Sequence, residues 1–322
     1  MAERPRPLVE TLDREMAVSR LIEAPRDLVY AAWTDPAQAG LWWGPNGFTT
    51  TIREMNVRPG GLWIFTMHGP DGRDYPNRIC YRELDPPRRI AYDHGSGVAG
   101  EPGQFQAVAA FEEVGAGTRV TLRAVFPTAE ERDLAVREFN AVEGGNQTLA
   151  RLEAHVALRM EPDPFVITRV FDAPRDLIFK AWSEEERLAH WWGPRGFALE
   201  VAYLDFRDGG GFHYGMKAPE GFSMWGRIQY REIVPPSRIV TVLHFSDEQG
   251  GITRHPMSAT WPLRTLNVLT LAEQGGKTLL TLESVPFQAT EKERATFREG
   301  HASMVNGYTG TFDMLDQYLS RI

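Results

Sequence analysis

Cysteine occurs once in the 322 residues, at Cys80, so no disulfide can close within the chain and no cysteine-based zinc site can be built. Lysine is almost as scarce: Lys180, Lys217, Lys277 and Lys292 are the whole set, and arginine supplies the remaining positive charge. Basic residues never cluster into a long run, and the formal net charge is −8. A nucleic-acid partner is therefore not expected, because affinity for a phosphate backbone rests on clustered positive charge. The opening Met1-Ala-Glu-Arg-Pro-Arg-Pro7 has no apolar core of a secretion signal, and no stretch is long and apolar enough to span a bilayer. No membrane association is expected, and a cytoplasmic location follows as the default.

Catalytic motifs are equally sparse. No Gly-x-Ser-x-Gly occurs, Cys80 falls inside a strand pattern without a designated base, and Gly115-Ala-Gly117 reads as a hairpin turn rather than a phosphate loop. The histidines are His68, His94, His155, His190, His213, His244, His255 and His301, and none forms a His-x-His or His-x-x-x-His pair. Neither a metal nor a cofactor is expected.

What is present is a duplication. Shifted by 149 residues, Arg20–Ile90 lies on Arg169–Ile239 without a gap, and 29 of those 71 positions are identical. Ala24-Pro-Arg-Asp-Leu28 recurs as Ala173-Pro-Arg-Asp-Leu177, Trp42-Trp-Gly-Pro45 as Trp191-Trp-Gly-Pro194, and Gly60-Gly61 as Gly209-Gly210. After Ile90 the register breaks: Thr118, Thr121 and Leu122 recur as Thr278, Thr281 and Leu282, offset by 160. The second copy thus carries an insertion of about eleven residues around Gly250–Arg264. With the stiff Glu161-Pro-Asp-Pro164 at the junction, the expected organisation is an N-terminal extension at 1–15, a first domain at 16–160 and a second at 161–322.

Within one copy, β-branched and apolar residues over Met16–Ile22 predict a strand, and Ala24-Pro25 opens a helix with Leu28, Val29, Ala32 and Trp33 at helical spacing. A short second helix reaches Trp42. Strands are predicted over Leu62–Met67, Asn77–Leu84, Arg89–His94, Phe105–Glu112 and Thr118–Phe126, with Trp63, Phe65 and Met67 on one face. The second copy puts Phe212, Tyr214 and Met216 on that face, which reads as inward. A long helix closes each copy: Ala135, Phe139, Val142, Asn146, Leu149, Leu152 and Val156 step by three or four, as do Phe297, His301, Met304, Tyr308, Thr311, Leu315, Leu319 and Ile322 without interruption. Both helices carry glycines near the middle (Gly144, Gly145; Gly307, Gly310), each costing about 0.5–1 kcal/mol against alanine. The class is α+β: two tandem helix-grip domains, each a curved antiparallel sheet around a long C-terminal helix with space between.

Several residues are candidates for a site in that space. Trp63, Phe65, Met67, Phe212, Tyr214 and Met216 are either core or the wall of a pocket for a flat apolar ligand. The Trp-Trp-Gly-Pro motifs either pin helices over the sheet mouth or form a lid. His301, beside Met304 and Tyr308 on the inward stripe, is the leading acid–base candidate, and also reads as a hydrogen-bonded core histidine. Arg227, aligned with Arg78, could orient a carbonyl or merely face solvent, and Asn146 could bind a ligand or cap a glycine bend. The insertion brings His255, Met257 and Trp261, and Trp225 stands where the first copy has Pro76. The second cavity is therefore expected to differ, with Trp225 and Trp261 among its ligand-binding residues.

Taken in order, these motifs resemble the AHSA-type (activator of heat-shock-chaperone ATPase-like) branch of the START/SRPBCC superfamily, across residues 16–158 and 165–322. More distantly the chain is similar to didomain polyketide aromatase/cyclases and to START-like proteins of enediyne producers. The resemblance implies a hydrophobic small molecule as partner, aromatic or polyketide-like, held for sequestration, carriage or self-resistance in bacterial secondary metabolism. As rival readings it also covers an aromatase/cyclase, for which His301, Tyr308, Arg227 and Asn146 would be tested first, and a chaperone co-activator acting through a protein surface.

Overall fold

Each copy begins with a strand that ends where Ala-Pro-Arg-Asp-Leu turns the chain into a helix. The computed structural model describes residues 12–96, 104–193, 195–218, 221 and 223–322. Most of the expected N-terminal extension, residues 1–11, and Pro194 of the second Trp-Trp-Gly-Pro lie outside the described residues. Leu12–Arg14 forms a single 3-10 turn, and Glu15 already belongs to the first strand.

The first unit, Met1–Val156, runs β1 (Glu15–Ile22), α1 (Arg26–Thr34), α2 (Pro36–Trp42), β2 (Thr49–Met55), β3 (Leu62–His68), β4 (Asp74–Asp85), β5 (Arg89–Gly95), β6 (Phe105–Val114), β7 (Gly117–Val125) and α3 (Ala129–Glu138) into α4 (Ala141–Met160). The second, Ala157–Ile322, repeats the order: β8 (Phe165–Phe171), α5 (Arg175–Ser183), α6 (Glu185–Leu188), β9 (Ala198–Asp205), β10 (Gly211–Lys217), β11 (Ser223–Val234), β12 (Arg238–Ser246), β13 (Thr265–Gln274), β14 (Lys277–Pro286), α7 (Glu291–Glu299) and α8 (His301–Leu319). Each sheet has seven antiparallel strands, ordered β1-β7-β6-β5-β4-β3-β2 and β8-β14-β13-β12-β11-β10-β9. In each, the strand that opens the unit pairs with the one that closes the sheet, so both helix groups attach at the same edge.

The repeated motifs have repeated physical reasons. Gly60 has φ 76° and Gly209 φ 75°, and a Cβ on the next glycine would run into the carbonyl oxygen of Asn56 or of Asp205. Only glycine fits either turn. The Thr118 hydroxyl donates to the Ala24 carbonyl at 2.8 Å, and Thr278 to that of Ala173 at 2.7 Å, tying the first helix of each unit to its sheet. Trp42 and Trp191 are fully buried, and each indole Nε1 donates to a carbonyl of the preceding helix, Ala32 or Ala181, at 3.0 Å.

Two sequence expectations require correction. The long closing helices are not continuous. The first breaks at Asn140, whose φ of 47° is left-handed, a conformation asparagine tolerates better than most residues. Phe139, expected inward, is its cap and is 74% exposed. The second breaks at Gly300, where a Cβ would lie 2.5 Å from the Trp261 ring. Phe297 and Leu315 are buried on either side of the second break, so the period alone could not reveal it. Leu28, grouped with the buried face of α1, is likewise exposed, whereas Val29, Ala32 and Trp33 are buried.

The mid-helix glycines do different things in the two units. A Cβ on Gly145 would sit 3.0 Å from Val18 Cγ2, so α4 presses on β1 there. A Cβ on Gly307 of α8 would meet nothing within 4 Å. One glycine marks contact and the other marks space.

Candidate functional site

The space beside Gly307 is a cavity of about 340 Å³ within the second unit, between the concave face of β10–β14 and α8. Its existence follows from a comparison of the two sheets row by row. In the first unit Tyr92 of β5 pairs with Ala107 of β6, and Ala107 with Ala124 of β7. The same row in the second unit is Thr241, Asn267 and Ser284. In the next row His94, Phe105 and Phe126 of the first unit correspond to Leu243, Thr265 and Pro286. The rings of His94 and Phe105 stack at 4.5 Å, Phe105 and Phe126 pack at 5.3 Å, and Tyr92 is buried. Four rings of the first unit are thus matched by none in the second. In these two rows the second sheet therefore presents less side-chain bulk to its interior, and in a close-packed protein missing bulk leaves room.

The wall is built from all the surrounding elements. Phe212, Tyr214 and Met216 come from β10, Ile228 and Tyr230 from β11, and Met304, Tyr308 and Thr311 from α8. Trp192, the second tryptophan of its motif, packs edge-on against Phe212 at 5.5 Å and Tyr214 at 5.4 Å while lining the cavity. Its counterpart Trp43 is buried against Trp63 at 4.8 Å. In each motif, then, the first tryptophan is structural, and in the second unit the other one is wall.

Among the described residues, no lining side chain carries a formal charge at neutral pH. Burial raises the Tyr214 and Tyr230 hydroxyls well above the ordinary phenol range and pushes Tyr308 up to about 12. His244 is lowered to about 4, first by burial and then by the charges of Arg227 and Arg264 and by His213. Both of its ring nitrogens, together with the indole Nε1 of Trp182 and Trp225, are enclosed without a protein hydrogen-bond partner.

His94 of the first unit is lowered to about 4 by burial alone. In an unfolded chain both imidazoles titrate near 6.5, so unfolding takes up protons between about pH 6.5 and pH 4. The stability of each unit should be full above pH 6.5 and decline through that window, by on the order of 1–2 kcal/mol for its one displaced histidine. Urea midpoints from pH 7.5 to 4 measure this, and double replacement by glutamine should flatten the curve.

Of the residues singled out in sequence, Phe212, Tyr214, Met216, Trp225, Met304 and Tyr308 meet at this cavity. The others lie elsewhere. Trp63 and Phe65 are buried in the aromatic core of the first unit, 4.6 Å apart, and Met67 is half-buried on the same strand. Asn146 is half-buried on α4. Trp261 packs on Phe297 at 5.5 Å and His255 at 5.7 Å, where the insertion covers the α7–α8 break. His301 packs against Phe165 and Phe297 with Nδ1 3.9 Å from Asp163, outside the cavity lining. Arg227 donates to the Gly250 carbonyl at 3.1 Å and, with His213, which hydrogen-bonds the Asp247 carbonyl at 3.1 Å, holds the first turn of the insertion. The sequence reading missed Thr241, Asn267 and His244. The signal lay in the differences between the copies, Tyr92 against Thr241 and Ala107 against Asn267, rather than in their matches.

A family model described as Activator of Hsp90 ATPase homolog 1-like protein matches the chain twice, over residues 23–157 and 172–320. Comparison with curated proteins finds no match. Among solved structures, protein NE0264 from Nitrosomonas europaea is 25% identical over 46% of this chain and 97% of its own, with a TM-score of 0.42. Protein CV1439 from Chromobacterium violaceum is 26% identical over 47% and 99%, with a TM-score of 0.40. The di-domain ARO/CYC BexL from the BE-7585A biosynthetic pathway is 18% identical over 95% and 98%, with a TM-score of 0.43.

Proposed function

The chain belongs to the Activator of Hsp90 ATPase homolog 1-like family, through both of its halves, and on that footing we propose that its second unit takes up one neutral, flat, largely apolar molecule between sheet and α8. The observation that carries this reading is a largely apolar cavity of about 340 Å³ whose lining, among the described residues, has no ionised group. Burying roughly 200–300 Å² of ligand apolar surface contributes about 5–8 kcal/mol, before the costs of association are subtracted. A carboxylate or ammonium placed there would lose its hydration without gaining a counter-charge.

Holding is favoured over acid–base chemistry. A general acid or base works best when its pKa lies near the operating pH, and the titratable lining groups are displaced the other way, Tyr308 up to about 12 and His244 down to about 4. Carriage or sequestration of an aromatic, polyketide-sized compound is the role this supports. A cyclase would need to draw its proton-transfer group from outside the wall, where His301 and Arg227 already have packing and loop-anchoring contacts.

The test uses 1-aminoanthracene, a neutral tricycle that fluoresces in apolar surroundings, titrated into the full chain. Saturation near one molecule per chain is expected, with 9-anthracenecarboxylate at least about tenfold weaker because its charge finds no partner. Unsaturable binding, or equal affinity for the anion, would sink the proposal.

A further inference from the structure

The cavity wall is mostly apolar, and one row across its floor carries three polar side chains. Asn267 lies on β13 at its floor, 6% exposed, between Thr241 of β12 and Ser284 of β14. An asparagine inside an apolar cavity is costly unless its amide is satisfied. This one is held closely at its oxygen and only loosely at its nitrogen. The Ser284 hydroxyl donates to Asn267 Oδ1 at 2.6 Å, which holds the side chain by its oxygen. The Nδ2 group, which has two hydrogens to give, has contacts only at 3.4 Å, to the carbonyl and the hydroxyl of Thr265. An N–H···O bond ordinarily closes to about 2.9–3.0 Å.

The same row of the first unit is Tyr92, Ala107 and Ala124, where a ring fills the space and no polar side chain but its hydroxyl is present. The second unit therefore differs by losing a ring and gaining an amide held by a serine, all in one line across three strands. The wall has further unused hydrogen-bonding capacity: both ring nitrogens of His244, one donor and one acceptor in the neutral ring, are unpartnered. Trp225 Nε1, absent from the first copy where Pro76 stands, is enclosed and unpartnered, and an indole N–H can only donate. Trp182 Nε1 is unpartnered too, but so is its counterpart Trp33, so it does not distinguish the units.

From this we infer that the second unit selects aromatic ketones and quinones, with the Asn267 amide donating to a ligand carbonyl at the cavity floor and Ser284 fixing its orientation. The inference rests on the uptake proposed above and adds the feature by which one neutral ring system is told from another. A site built to hydrogen-bond a substrate group rejects the analogue that lacks it.

Fluorenone and fluorene differ only by a carbonyl in place of a methylene, and displacement of 1-aminoanthracene from the full chain compares them. The unsubstituted chain should prefer the ketone about tenfold, what one neutral hydrogen bond inside a dry site supplies. Asn267→Ala, which installs the alanine of the first unit, should reduce that preference to within about twofold while leaving fluorene affinity unchanged. Ser284→Ala should reduce it partially, and melting curves of both variants confirm that they fold. Equal affinity for the two probes in the unsubstituted chain overturns the amide anchor while apolar uptake stands. So does an Asn267→Ala variant that weakens both probes alike, since the residue would then only shape the wall. Failure of 1-aminoanthracene itself to bind overturns the uptake, and the anchor with it; binding of 1-aminoanthracene that neither fluorenone nor fluorene displaces overturns the anchor alone.

Discussion

Thr241→Tyr is expected to weaken ligand uptake by the second unit at least about a hundredfold while the protein stays folded. The substitution transplants the ring that Tyr92 places in the first unit into the position where the cavity opens. Thr241 lines the space, pairs with Asn267 across the sheet, and lies opposite Tyr230 of β11. A phenol there takes up the volume the ligand would occupy. It does so on a backbone that already accommodates tyrosine at the equivalent site, so overpacking costs should stay small. The 1-aminoanthracene titration and a melting curve read the two effects separately: binding should vanish with a melting temperature within a few degrees of the parent. A variant that binds as the parent does would show that the ligand sits elsewhere. The reciprocal Tyr92→Thr should cost the first unit about 3–5 kcal/mol, the usual penalty for emptying a buried aromatic position.

The second large effect concerns the junction. Glu161 opens the Glu-Pro-Asp-Pro segment, and its side chain is fully buried, accepting from Arg294 Nη1 at 3.1 Å and Arg298 Nη1 at 2.8 Å on α7. Removing one partner of a buried ion group leaves the other charges dehydrated without compensation. Glu161→Ala should therefore destabilise the second unit by about 3–5 kcal/mol. Glu161→Gln, which keeps the acceptor oxygen but not the charge, should cost less. All three residues belong to the second unit, so the loss should fall on its transition in urea and leave that of the first in place. A loss below about 1 kcal/mol for the alanine variant would mean that the arginines are adequately solvated without their carboxylate.

Much of this architecture can be read before any coordinates. The duplication, the strand–helix–helix–strand order and the inward placement of Trp63, Phe65, Phe212 and Tyr214 follow from spacing, from glycine and proline turns, and from period-two alternation. These are local signals, each contained within about a dozen residues. The buried Glu161 contacts were not legible in the same way, because Arg294 and Arg298 stand more than 130 positions away. Nor was the role of His301, whose inward stripe continues past the break at Gly300 and ends against Phe165 and Phe297 instead of in the cavity.

Local chemistry alone was enough to establish what each segment becomes and that the chain does so twice, because turn formation and amphipathic alternation depend on near neighbours. The cavity of the second unit became visible only in three dimensions. An empty volume is a small remainder between a backbone envelope and the summed bulk of side chains from many strands. Tyr92, Ala107 and Ala124, or Thr241, Asn267 and Ser284, become one row only when β-pairing lays distant positions side by side.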